Sequence, residues 1–187
     1  DVADTSFDRV INDDVLGIRL LFEHLYEAGH RRFAWLGGGG DTSTARDREC
    51  SFRQQMDAAG LPVTSDSVHH GPTTLEFGDA MLKRLLAMPE PPTAIMCFSD
   101  IIAFGVLAAC YRHGVRPGVD ISVTGFDDMA AAAYSAPALT SVRVRTALIG
   151  QCASELLLSR MAGEQFPPVR KVIPPELVVR ASTGPVA

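Results

Sequence analysis

The sequence predicts an α/β fold with a doubly wound, mainly parallel sheet, and three observations carry that expectation. Short apolar runs alternate with longer segments of three- and four-residue apolar periodicity nearly throughout, the order that places helices over both faces of a parallel sheet. One run, TAIMCF at 93–98, is essentially unbroken, as expected of a strand covered on both sides. The chain has 187 residues, 47% of them hydrophobic, enough for one large domain or two small lobes.

A short strand at 9–11 opens the series. In the segment after it, Val15, Ile18, Leu21, Phe22 and Leu25 make one apolar helix face, with Asn12 or Asp13 to cap its start and Gly29 its end. RFAWLGG is the next strand, followed by a helix from about 46 to 59 that stops at Gly60 before Pro62. SVHHG is a weak strand, and LEFGDAMLKRLLAM the helix behind it, closed by the turn PEPP. After TAIMCF comes the helix SDIIAFGVLAACYRHG, capped by Ser99 or Asp100 and ended by Gly114. ISVTGF is a second buried strand, and LTSVRV a further one beyond an alanine-rich loop. TALIGQCASELLLSRMAG forms a last long helix, and KVI with ELVVR closes the chain as a pair of strands.

The formal charge of -5 does not mark a nucleic-acid binder, and the densest basic groups, His30-Arg31-Arg32 and Arg143 with Arg145, are too small for a DNA footprint. The four cysteines form no CxxC pair and no metal-ligand spacing. Cys97, Cys110 and Cys152 sit in apolar surroundings, which suits buried free thiols in a reducing compartment and points to the cytoplasm. No run of about 18 apolar residues is present to span a bilayer. The chain opens on DVADTSFDRVIND without an initiator Met and reads as a fragment of something longer, so a lost signal peptide stays open.

In a doubly wound sheet, ligands bind beyond the carboxyl ends of the strands. That nominates the loops after Leu36, His70, Phe98 and Phe126, which carry Arg46 and Arg48, Thr73 and Thr74, Ser99 and Asp100, and Asp127 and Asp128. Such a lining suits hydrogen bonding to a small polar molecule. The four glycines at 37–40 invite comparison with a phosphate loop, but Asp41, Thr42 and Ser43 follow where a Lys-Ser/Thr is needed, and Asp41 would repel a pyrophosphate. A strand-to-helix turn is the better reading. An arginine at a strand's carboxyl end can fork two hydrogen bonds to a hydroxyl pair or carboxylate, which raises one of Arg46 and Arg48 above an ordinary surface residue. His69 and His70 are adjacent on a strand and point to opposite faces, against a shared metal. Asp127 with Asp128 and Asp100 could serve a Mg²⁺-dependent hydrolase, but no nucleophile constellation or G-x-S-x-G elbow accompanies them.

Taken in order, EHLYEAGHRRFAWLGG, ARDRECSFRQQMDAAGLP, PPTAIMCFSDIIAFGVLAACYRHGVRPGVDISVTGFDD, PALTSVR and PPELVVRAST closely resemble the core of the LacI/GalR family of bacterial transcription regulators. The resemblance runs from about residue 9 to 184. It implies a periplasmic-binding-protein-like type I fold, present mostly as the C-terminal lobe at 9–138. The crossover strand and helix at 139–165 would belong to the N-terminal lobe, and closing strands and tail would fill 166–187. It implies no enzyme, no cofactor and no metal. The partners would be a small polar effector such as a sugar, a second copy in a homodimer, and operator DNA reached only through an N-terminal headpiece outside this chain.

Residue by residue, Arg48 matches the arginine that hydrogen-bonds the effector in many members, and Asp127 the first acidic residue after the glycine-aromatic pair. Ser99 stands where many members have Asn, and Thr73 where sugar-responsive members place a stacking aromatic, a departure that removes a platform for a pyranose face. Dimer contacts map onto the helix at 76–88, with Phe77, Met81 and Leu85, and the loop at 129–136, with Met129 and Tyr134. A periplasmic solute-binding protein of the same fold is the alternative, and the unpaired cysteines favour the regulator.

Overall fold

In the computed structural model, which describes residues 7–39 and 42–186, side-chain alternation within the strands decides the architecture. Every residue of β2 (Phe33–Leu36) and β4 (Ala94–Cys97) is buried. Phe33, Trp35, Ala94 and Met96 enter one core, while Ala34, Leu36, Ile95 and Cys97 enter another. Successive strand residues face opposite ways, so a wholly apolar strand needs cover on both sides. Helices α1 (Asp14–Glu27) and α2 (Ser43–Ala58) supply it on the first face through Ile18, Leu21, Phe22, Leu25, Phe52 and Met56. Helices α3 (Leu75–Leu86) and α4 (Asp100–His113) supply it on the second through Met81, Leu82, Leu85, Ile102 and Val106.

The main sheet has six strands. β3 (Val68–His69), β2, β4, β5 (Ser122–Asp127) and β6 (Thr140–Arg143) run parallel, and β8 (Glu176–Val178) closes the edge antiparallel to β6. β1 (Arg9–Asn12) and β7 (Arg170–Ile173) form a separate parallel pair, against which α5 (Thr146–Met161) packs. The two closing strands therefore do not pair with each other. The strand expected with the crossover is instead part of the main sheet, with Thr140, Ser141 and Val142 buried and Thr140 in register with Thr124. β1, expected inside the 9–138 unit, leaves it to pair with β7.

Helix α2 begins three residues before the expected start. The Thr42 hydroxyl accepts from the Ala45 amide at 3.2 Å, and the sequence offered several capping residues in a row there. Asp13 caps α1 as expected, accepting from the Leu16 amide at 2.9 Å, and Gly114 ends α4 in the left-handed region. Helices α3 and α4 approach so closely that a methyl on Gly78 would press into the Ile102 carbonyl, and one on Gly105 into the Leu75 carbonyl.

Two motifs beyond β5 are tied together by one carboxylate. Asp128 pairs with Arg143 Nε at 2.7 Å and Arg180 Nη2 at 2.7 Å, while its amide donates to the Ser141 hydroxyl at 3.1 Å. Asp128 thus anchors the loop after β5 to β6 and to the segment after β8, a structural task rather than a turn alone.

Candidate functional site

β2 and β4 are neighbours, yet the chain leaves β2 toward the β3 edge and β4 toward β5. Such a reversal opens a crevice at the strands' carboxyl ends. Gly37 and Gly38, at φ 103° and 77°, carry the chain off β2, and a side chain on Gly37 would collide with Phe98 and Ile102. Gly40 and Asp41, the rest of the suspected phosphate loop, lie outside the described residues. The turn delivers α2 to the crevice, and α2 delivers Arg48.

The Arg48 side chain is only 7% exposed. Its Nε donates to Asp14 Oδ1 at 2.8 Å, Nη1 to the Phe98 carbonyl at 2.7 Å, and Nη2 to Asp127 Oδ1 at 3.4 Å. The guanidinium carbon lies 3.6 Å from the centre of the Phe126 ring and 4.9 Å from that of Phe98, so rings at the ends of β5 and β4 hold it by cation–π contact. Those three bonds leave two of the five guanidinium N–H groups available. The group opens onto a cleft of about 270 Å³ lined by Asn12, Asp14, Thr44, Asp47 and Asp127 among others. Charge-assisted bonds to an oriented guanidinium favour a hydroxyl-rich or otherwise polar ligand.

Asp127 and Asp128 both adopt left-handed backbone, at φ 104° and 49°. Non-glycine residues there store about 1–3 kcal/mol each, strain that the Asp128 ion pairs can hold in place. The Asp127 carboxyl is pushed above its ordinary value by burial; Arg48 pulls it back and Asp14 adds to the rise. Below it, Asp100 is fully buried, accepting from the Ser141 hydroxyl and the Met129 amide, both at 2.6 Å. Burial raises its pKa to about 6, against the lowering effect of those two bonds.

Of the four expected ligand contacts, the structure brings Arg48 and Asp127 together. Ser99 follows Phe98 directly, is 4% exposed, and its hydroxyl has no hydrogen-bond partner among the described residues. Thr73 lies exposed in the turn before α3 and does not line this cleft, so the position offers neither a stacking ring nor a hydroxyl to it. Asp14 and the two phenylalanines escape sequence reasoning: Asp14 reads as an ordinary first-turn residue of α1, and it lies 34 positions from Arg48. Asp100, Asp127 and Asp128 turn to separate partners, and no group of three or more His, Cys, Asp or Glu is placed to hold a metal among the described residues. His69 is buried against the Asp66 carbonyl at 3.0 Å while His70 is exposed beside Glu49 at 2.7 Å, on opposite faces as expected.

Of the five expected dimer contacts, Met81 and Leu85 are core residues. Met81 and Leu85 are 8% and 0% exposed, on the face of α3 that packs under α4, and cannot meet a partner without unfolding the core. Phe77 is half-buried against the same core. Met129 and Tyr134 are exposed, at 43% and 88%. Tyr134 instead joins Tyr111, Phe104, Leu107 and Ala108 of α4 around an apolar depression of about 560 Å³. The signal in the sequence was α4 itself, which is apolar on nearly every side. No helix among the described residues is long and apolar enough to cross a membrane.

Residues 22–183 match the family described as periplasmic binding protein-like domain. The chain is 32% identical over 160 residues to the HTH-type transcriptional repressor CytR of Escherichia coli (strain K12), covering 86% of this chain and 47% of the repressor. Among solved structures, a LacI-family regulatory protein from Chloroflexus aggregans superposes with a TM-score of 0.90 at 35% identity, covering 95% of this chain and 64% of that one. The transcriptional regulator CelR in complex with cellobiose superposes at 0.89 with 32% identity, covering 97% of this chain and 55% of that one. The chain spans about half the length of the curated relatives it matches.

Proposed function

Because the chain belongs to the periplasmic binding protein-like domain family, we propose that it is the ligand-sensing and dimerisation part of a LacI/GalR-type bacterial transcription regulator. The observation that carries this reading is Arg48, clamped between two rings and two carboxylates at the switch point of the sheet. A side chain held this rigidly, with two donors left over, is preorganised to bind rather than to turn over a substrate. Arg48 and Asp127 would make charge-assisted bonds to a small polar effector, with Ser99 adding a neutral one. The relatives it resembles are repressors, which favours regulation over solute transport and over catalysis.

The six-stranded sheet with α1 to α4 would then be the C-terminal lobe, and α5 with β1 and β7 the start of a second lobe supplied by a longer protein. The exposed apolar residues of α5, Leu157, Leu158 and Met161, fit a surface completed by such a lobe. Effector closing the cleft would act on the dimer, and so on operator DNA in the cytoplasm, by its difference in affinity for two lobe arrangements. The test is an effector-dependent change in operator DNA binding by the full-length protein, in either direction. Arg48→Ala and Asp127→Ala should each weaken the response about tenfold or more, as expected for lost hydrogen bonds to charged groups. An unchanged response in both variants would remove these residues from the site.

A further inference from the structure

The charge of the cleft says more about its ligand than its shape does. Among the described residues, Asp14, Asp47 and Asp127 line it together with Arg48, so three carboxylates against one guanidinium leave two net negative charges. Asp14 is the decisive one. It sits closer to Arg48 than Asp127 does, at 2.8 Å against 3.4 Å, and its side chain is 13% exposed against 43%. A buried pair is screened far less than an exposed one, so Asp14 neutralises the guanidinium at any ordinary salt concentration.

An arginine beside a helix N-terminus is the usual recipe for holding a phosphate or carboxylate. Here the recipe is cancelled. Asp14 occupies the Nε edge of the guanidinium, so an incoming anion cannot take the fork that includes it. The first turn of α2, with Ser43 and Thr44 on the cleft, contributes about half a positive charge, less than the excess of carboxylates. Beside the two remaining Arg48 N–H groups, the cleft offers the carboxylate oxygens and one more acceptor. Asn12 donates its amide to Asp14 Oδ1 at 3.1 Å, and its own buried Oδ1 has no hydrogen-bond partner among the described residues. Such a cleft asks its ligand for donors.

We propose that Asp14 sets the charge class of the ligand: the cleft takes an uncharged or cationic molecule bearing hydroxyl or ammonium groups, and rejects phosphorylated and carboxylated ones. The proposal rests on the binding site placed at Arg48 above. Inorganic phosphate is the probe, because it reads the charge at Arg48 whatever the effector is. Followed by the NMR signal of the Arg48 Nε–H group, the wild-type chain shows no saturable shift with phosphate. Asp14→Asn, which keeps shape and the contact to Asn12, acquires a saturable shift, with affinity at least about tenfold above wild type, as expected for removing one low-screened charge a few ångströms away. Asp127→Asn, more exposed and farther off, gains less.

Matched pairs give the second arm. Ribose against ribose 5-phosphate, and adenosine against adenosine 5′-monophosphate, should show the phosphorylated member favoured only in Asp14→Asn. Saturable phosphate binding at Arg48 in the wild type overturns the proposal, as does an Asp14→Asn variant with no gain. If Asp14→Asn does not fold, the wild-type titration and the gain in Asp127→Asn still decide. Failure of the site reading looks different: phosphate behaves as described, while Arg48→Ala leaves the effector response intact.

Discussion

Arg48 joins two strand ends and one helix start through a single side chain. Removing it leaves Asp14 with its charge largely buried, which costs more than the pair itself contributes. Arg48→Ala should lower stability by about 3 kcal/mol in urea denaturation, and the double variant with Asp14→Ala should lose less than the two single losses added together. Asp100 makes a prediction of opposite kind. Its folded pKa of about 6 lies above the ordinary 3.8, so the folded state keeps the proton longer than the unfolded one. The stability linked to this group is present below the unfolded value and is lost as pH rises through about 6. Asp100→Asn should flatten the fall in stability between those two pH values, by about 3 kcal/mol relative to wild type, read from denaturation midpoints across pH. At this level Asp127 is legible in the sequence from its place after a strand, and Arg48 from the family resemblance. Asp14 is not, because nothing local distinguishes a helix-start carboxylate from an ion-pair partner.

Among the elements, α3 and α4 are held closest, and the contact depends on two glycines placed reciprocally. Gly78→Ala and Gly105→Ala should each destabilise by about 1–3 kcal/mol or more, since the obstacle is backbone that cannot swing away. Together they should fall short of additivity, because either one already separates the helices. Gly150→Ala on α5 is the contrast: nothing lies within 4 Å of the added methyl, and the helix should gain about 0.5–1 kcal/mol. Thermal or urea unfolding measures all three. Element type and order are plain in the sequence, since the periods of strand and helix differ. Partnership is another matter. KVI and ELVVR look alike as strands, but β7 joins β1 and β8 joins β6, a choice made by which edge each can reach.

Across the molecule, the apolar surface of α4 and the loop at 129–136 is the one a second copy would cover in the proposed dimer. Tyr111→Glu with Tyr134→Glu, both side chains nearly nine-tenths exposed, should shift the full-length protein toward monomer in sedimentation without loss of helix content. A dimer of unchanged strength would place the interface elsewhere. Met81→Glu would report on folding instead, being a core substitution. That the expected interface fell half inside the core has a simple cause: on an amphipathic helix the same apolar residues satisfy either reading. Periodicity and apolar runs decide which segments are strands and helices, and ordered motifs decide the family, because both are properties of neighbours along the chain. Which carboxylates meet Arg48, which face of α3 turns inward, and which strands pair depend on residues such as Asp14 and Asp127, 34 and 79 positions from Arg48. Only packing brings such groups together, so only the folded chain shows that the guanidinium in the cleft is already neutralised.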